Sequence, residues 1–383
     1  MDELQVFVRR FSVPVPAATP PTSTSTPQGA ELPTWTVESL QGWHLPLLDD
    51  PAFLPLQPLL QRSLLLAVPE KLITAVALRQ PLASQVLVAL QRDPSGGSQA
   101  LGLAVSRRLN RRGSCWQLEH LCLALTCGEG PRAPARRDVS MALVREAINR
   151  GRGAASWITV VPSLDTPRLA TLRELGFQPQ RTDRLWLWQS AALPSSPRDP
   201  DLILRRLDRG SAPLLWHLEQ AACPAPLRQL LDRRIEDLLD HSHGRGWMLI
   251  DRARNEAVLG ARCQADHPAG GPVIELSVHP GWSHLLLGGA AELPLQRLAG
   301  ETASGGRLWI PCEEGDACRQ AWLVRHGAEP RGEQVLMARS VWRRQTWQTT
   351  PQVASRLSAV LERLQPRRRP LPTPVGPQPL TPR

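Results

Sequence analysis

Tyrosine is absent from this 383-residue chain, phenylalanine occurs four times, and Lys71 is the sole lysine. The first absence removes every phenolic acid or base from the chemistry the protein can perform. The near-absence of lysine leaves 44 of 45 basic side chains as arginine; with 38 prolines, that usage is as consistent with a GC-rich codon supply as with function. No apolar run approaches the ~18–20 residues that span a bilayer, so no membrane partner is expected. The seven cysteines (115, 122, 127, 223, 263, 312 and 318) form no CxxC pair and have no clustered histidines. Zinc fingers, thioredoxin-like redox sites and disulfide scaffolds are therefore unsupported, and most of these thiols should be small core hydrophobes. The start, Met1-Asp2-Glu3-Leu4, is acidic and runs into Arg9, Arg10 and a proline-rich stretch, unlike a secretory signal or transit peptide. A cytoplasmic location is the expectation.

What is present points to folded cores. Hydrophobic residues make up 42% and charged residues 21%, too much apolar and too little charged side chain for a wholly disordered protein. The net charge of +10 permits nucleic-acid or acidic partners. Nucleic acid ranks last, because the arginines are not interleaved with aromatics and no binding motif stands out. Were it bound, affinity would fall steeply with salt.

Length and composition breaks suggest two domains, 36–190 and 201–345. Residues 1–35, Pro/Thr/Ser-rich from 13 onward, read as a disordered tail and linker. Residues 191–200 (AALPSSPRDP) read as a second linker, and 346–383 as a helix (351–364) followed by a Pro/Arg-rich tail. Periodicity in the first half predicts helices at 53–66 and 69–80 and strands at 85–91, 100–108 and 116–125. A helix at 139–150, a strand at 156–161, a helix at 166–175 and a strand at 184–189 follow. The second half gives a strand at 202–207, helices at 211–221 and 225–240, and strands at 246–251, 257–264 and 273–279. Then come a helix at 284–298, a strand at 307–311, a helix at 316–325 and a strand at 334–342. Contiguous strands followed by alternating strands and helices call for a mixed α/β sheet with antiparallel and parallel neighbours.

The halves match residue by residue. Asp165 and Asp316 each precede a helix that ends in glycine eleven residues later, at Gly176 and Gly327, and Pro162 and Pro311 close the preceding strands. The regular offset reads as an internal duplication. The two aspartates are helix N-caps on this reading. His241-Ser242-His243 lacks a third ligand at usable spacing, so no metal site is expected.

With Leu175-Gly176-Phe177 closing one helix and Val278-His279-Pro280-Gly281-Trp282 closing one strand, this element order resembles the GNAT family of acetyl-CoA-dependent N-acyltransferases, two domains in tandem. The resemblance implies an acetyl-CoA or other acyl-CoA cofactor and an amine acceptor, small molecule or protein. It implies that a bulge on the fourth strand binds the acyl carbonyl and that the pyrophosphate sits behind a glycine loop at the next helix start, where free N–H groups and the dipole favour anions. In the first half that loop becomes Ala135-Arg136-Arg137-Asp138-Val139-Ser140. Asp138, read as a helix cap, would repel phosphate. In the second half it becomes Ser283-His284-Leu285-Leu286-Leu287-Gly288, with no acidic residue in the way.

The second half is therefore the expected cofactor site, through Leu276, Val278, Ser283, His284, Gly288 and Gly289. Its helix, with an early Gly288-Gly289 and an internal Pro294, should be weak or kinked. The family's catalytic glutamate maps onto Glu275, and onto His120 in the first half. The family's tyrosine acid maps onto Leu172 and Leu323, so that role is vacant; Cys318, Ser283 or a water remain as alternatives. Two functions follow: an N-acyltransferase active in its second half, or a catalytically inactive pair serving as a binding or scaffold module.

Overall fold

The computed structural model describes residues 35–66, 84–92, 97–129, 133–189, 201–242, 245–283, 287–302 and 305–340. The helices expected at 69–80 and 351–364 lie outside the described residues. Twelve strands form one mixed sheet in the order β1-β2-β3-β4-β5-β12-β6-β11-β10-β9-β8-β7. β1 (Trp35–Ser39), β2 (Gln85–Arg92), β3 (Ser98–Arg108) and β4 (Cys115–Leu123) make an antiparallel meander, and β5 (Ser156–Pro162) joins β4 in parallel. In the second half, β7 (Leu202–Arg206), β8 (Gly246–Asp251), β9 (Glu256–Asp266) and β10 (Pro272–Val278) repeat the meander. There β11 (Arg307–Glu313) is the parallel neighbour of β10.

The centre of the sheet holds an exchange that the sequence did not announce. β6 (Gln178–Gln189), which ends the first half, pairs antiparallel with β11 of the second, from Arg307↔Gln189 to Glu313↔Asp183. β12 (Glu329–Ser340), which ends the second half, pairs with β5 of the first, from Gln334↔Pro162 to Ser340↔Ser156. β6 and β12 also pair with each other. Each half thus completes the other's sheet, and the strand order reads alike from either edge.

Helices cover the sheet. Residues 57–66 form α1. Between β4 and β5 lies α2 (Arg136–Arg150), and between β5 and β6 lies α3 (Thr166–Glu174). The second half contributes α4 (Ala212–Ala222), α5 (Ala225–Leu231), α6 (Ile235–Ser242), α7 (Leu293–Gly300) and α8 (Ala317–Arg325). β2 and β3 read as almost unbroken apolar runs because both faces are covered, and their side chains, with Val139, Leu143 and Val144 of α2, build the first core. Helix-to-sheet approach is close where glycine allows it. A Cβ on Gly260 of β9 would lie 2.4 Å from Leu215 of α4.

The repeated caps form as expected. Asp165 accepts the Arg168 N–H at 3.1 Å and Asp316 the Arg319 N–H at 2.9 Å. The helices end at Gly176 (φ +85°) and Gly327 (φ +73°), a left-handed backbone that glycine adopts without a Cβ clash.

Five expectations are corrected. Trp35, placed at the end of the linker, opens β1. α2 starts at Arg136 after Ala135, so Asp138 lies inside its first turn and does not cap it. The single helix expected over 225–240 breaks at Asp232 (φ 43°), because the β3–β4 hairpin satisfies the carbonyls there: Asn110 Nδ2 donates to Leu231 O and Asp232 O, each at 3.2 Å. Of the helix expected over 284–298, residues 284–286 lie outside the described residues and Leu287 is helical; Gly288–Glu292 then tighten into a 3₁₀ turn that becomes α7 at Leu293. Pro294 therefore sits at the helix start, where its missing N–H costs nothing. β11 also continues two residues past Pro311.

Candidate active site: two forked strand pairs

The fourth and fifth strands of each half part after a short parallel stretch, leaving a fork. In the first half, β4 and β5 stay paired over Cys115↔Ser156, Trp116↔Trp157 and Gln117↔Ile158. The two indoles stack there, 5.5 Å between centroids. Thr159 Oγ1 donates to Leu118 O at 2.9 Å where the strands diverge. Just beyond, β4 carries an extra residue: against β3, Leu118 pairs with Ser106 and His120 with Val105, so Glu119 is bulged. A bulge frees backbone groups from the ladder and re-aims side chains.

The bulge sets the local electrostatics. Glu119 pairs with Arg107 at 2.6 Å, yet burial pushes its carboxyl above the usual range despite that cation. Burial pushes the half-buried His120 imidazole down, and Arg168 and Arg107 push it the same way, so it is neutral at physiological pH. Burial also raises the Cys122 thiol, against the pull of Arg168. Arg168 itself, at the start of α3, has Nε and Nη2 buried without an acceptor among the described residues.

The start of α2 below this fork is less suited to phosphate. Asp138 occupies its first turn and Ala135 supplies no side-chain cap. Arg136 Nη1 is committed to Ala124 O (2.9 Å) and Cys127 O (3.1 Å), and Arg137 forms a surface pair with Glu174.

The second-half fork differs on each point. β10 and β11 register only at Val273↔Trp309. The nearby irregularity falls on β9, where Gln264 is the extra residue, and not on β10. Arg319 reaches across to β10: its Nη1 donates to Leu276 O at 3.1 Å while Nε lies 3.2 Å from Asp316 Oδ2. A guanidinium therefore sits on the β10 edge that an extended ligand would pair with.

Glu275 sits in an ionic cluster. It accepts from Arg233 Nη1 (3.1 and 3.2 Å), from Gln264 Nε2 (2.6 Å) and from Arg262 Nη2. Arg262, 2% exposed, also grips Glu219 through Nε (2.5 Å) and Nη2 (3.3 Å). Burial alone would raise the Glu275 carboxyl; Arg233 and Arg262, with the hydrogen bonds from Gln264 and Arg233, hold it well below the carboxylate range. A carboxylate so stabilised is a weak proton acceptor.

The other second-half candidates are dispersed. Leu276 is buried, Val278 and Ser283 are half-buried, and Gly288 and Gly289 are exposed on the 3₁₀ turn. The Ser283 carbonyl accepts the Leu287 N–H at 3.0 Å, and His284 lies outside the described residues. Among the described residues no cluster is suited to a metal ion, and no helix is long and apolar enough to cross a membrane.

Sequence reading missed the two arginines at the forks, although the signal repeats: each stands three residues after its capping aspartate, Asp165 to Arg168 and Asp316 to Arg319.

No family model matches the chain, and no curated protein matches it. Solved structures do. A GCN5-related N-acetyltransferase from Sphaerobacter thermophilus is 14% identical, with 80% of this chain and 95% of that one covered at a TM-score of 0.49. A tandem GNAT protein from the clavulanic acid biosynthesis pathway is 13% identical over 80% of this chain and 98% of its own, at 0.48. A GNAT-family acetyltransferase from Colwellia psychrerythraea is 9% identical over 80% of this chain and all of its own, at 0.41. Over 80% of its length the chain is similar in structure to solved GNAT acetyltransferases, a tandem GNAT protein among them.

Proposed function

We propose that this chain binds an acyl thioester of the CoA type in the β4–β5 fork of its first half and transfers the acyl group to an amine. The bulge at Glu119 beside the fork carries this reading. It reverses the preference that the loop sequences gave to the second half.

The fork fits an extended amide chain: among the described residues β4 has no strand partner on that side beyond Gln117, so its backbone groups past Leu118, whose carbonyl accepts from Thr159, can pair with a ligand's amides. The nucleotide end fits less well, because Asp138 in the first turn of α2 opposes an anion. When bound, the thioester supplies an activated acyl carbon. The chain's own contribution is twofold. An N–H freed by the bulge can stabilise negative charge on the acyl oxygen, and neutral His120 can take the proton from the attacking amine.

The test is calorimetric titration of the full chain with acetyl-CoA, paired with thiol release on a panel of primary amines. Binding is expected to be saturable. His120→Gln should lower turnover by about 10²-fold or more while leaving thioester binding intact, whereas Glu275→Gln should leave turnover unchanged.

A second reading, an inactive pair acting as a binding module, draws on Asp138, on the ion-paired Glu275 and on Arg319 lying across the second fork. Absence of acetyl-CoA binding to the full chain would favour it.

A further inference from the structure

Three arginines in this protein, Arg262, Arg111 and Arg137, each grip a carboxylate by one edge. Nε and Nη2 present two parallel N–H groups whose spacing matches the two oxygens of a carboxylate. Arg262 uses that edge on Glu219, at 2.5 and 3.3 Å. Arg111 uses it on Asp240, at 2.6 and 2.9 Å, and Arg137 on Glu174, at 3.3 and 2.5 Å. Arg168 shows the same edge under different conditions. Its Nε and Nη2 are buried, and no hydrogen-bond acceptor meets them among the described residues.

The duplication supplies an internal control. Arg319 occupies the equivalent position in the second half; its Nη1 donates to Leu276 O, and its Nε, which makes no hydrogen bond, is ion-paired with Asp316 at 3.2 Å. Asp165, the counterpart of Asp316, spends its carboxylate on the Arg168 backbone N–H and forms no ion pair with the guanidinium within 4.0 Å. The groups close enough to sense the Arg168 charge are His120 and Cys122 on β4 and Asp165 at the start of its own helix. The first two belong to the strand that lines the fork. A buried cation without a partner is costly, and such a group calls for a water, an ion or a ligand that completes it.

We propose that the β4–β5 fork contains a carboxylate-binding subsite, in which the Nε–Nη2 edge of Arg168 holds a carboxylate borne by the ligand. This deepens the thioester reading by naming a chemical class for what enters the same fork. The carboxylate belongs either to the acyl chain, as in a dicarboxylic thioester, or to the acceptor, as in an amino acid.

The experiment uses the full chain and reads both melting midpoint and titration heat. Succinate should bind saturably and succinamide should not. Arg168→Met should weaken succinate by about 10- to 100-fold, while Arg319→Met leaves it unchanged. Met fills a similar volume without charge, so the variant is expected to fold. Arg168→Lys, which keeps the charge but loses the two-pronged edge, should bind with intermediate affinity and provides a second variant. A preference for succinyl-CoA over acetyl-CoA that depends on Arg168 assigns the carboxylate to the acyl chain. A preference for L-alanine over alaninamide that depends on Arg168 assigns it to the acceptor.

Equal binding of charged and uncharged members of all three pairs, or preferences that survive Arg168→Met, would overturn the proposal. Acetyl-CoA binding without any carboxylate preference defeats this inference alone. Arg168-dependent succinate binding without binding of either acetyl-CoA or succinyl-CoA defeats the thioester reading alone.

Discussion

Two polar side chains to which the sequence reading assigned the same role in the two halves, His120 and Glu275, were set on different courses by their neighbours. The His120 ring is half-buried beside Arg168 and Arg107, and all three influences favour its neutral form. A base so tuned should give a kcat/KM that rises with pH through a value below the ordinary histidine pKa of about 6.5 and is flat by pH 7. A rate profile still climbing above pH 7 would contradict it. Glu275 is instead part of an ion cluster whose worth is structural. Removing one partner of a buried pair leaves a charge uncompensated, so Glu219→Gln should destabilise the fold by about 3 kcal/mol in urea denaturation, through the loss of charge opposite buried Arg262. The folded-state pKa of Glu275 lies below its unfolded value. Its stabilisation is therefore full above about pH 4.3 and is lost as pH falls toward the folded value. The stability gap between wild type and Glu275→Gln should narrow on acidification from pH 5 to pH 3. The identities of both residues were legible in the sequence. Their roles were not, because Arg262 is 13 positions and Arg233 42 positions away from Glu275 in the chain.

Elements with strictly local signals were the easiest to read. The Asp caps and terminal glycines of α3 and α8 concern groups within a turn of one another, and both formed as expected. Asp165→Ala and Asp316→Ala should each cost about 1 kcal/mol in thermal unfolding, the usual worth of a side-chain N-cap. Gly176→Ala should cost about 1–2 kcal/mol, since an L-residue resists φ +85°. Elements whose ends depend on distant partners were misread. α5 stops where Asn110 of another hairpin takes its last carbonyls, and Asp232 Oδ2 accepts from Ser114 Oγ at 2.6 Å. Periodicity alone continues the helix, because Leu230, Leu231, Leu238 and Leu239 keep an apolar face across the break.

For the molecule as a whole, the exchange of β6 and β12 makes the halves interdependent. A piece covering 35–189 would contain β5 and β6 but lack β12, which lies between them in the sheet, and β11, which flanks β6 on the other side. Two copies of such a piece can restore every ladder if each lends its β6 to the other, as the duplicated halves do for each other here. The piece should therefore appear as a dimer in light scattering, whereas a well-folded monomer would show that the exchange is dispensable. The sequence by itself determined the order of most described strands and helices, where α3 and α8 begin and end, and that the pattern occurs twice, because each depends on spacing over a few residues. Only the tertiary structure decided which last strand pairs with which fifth strand, and that Arg319 sits on a carbonyl while Arg168 has buried donors without acceptors. Hydrogen-bond ladders between remote segments are chosen by the closure of the whole sheet, and β6 and β12 carry sequence patterns that either fifth strand could accept.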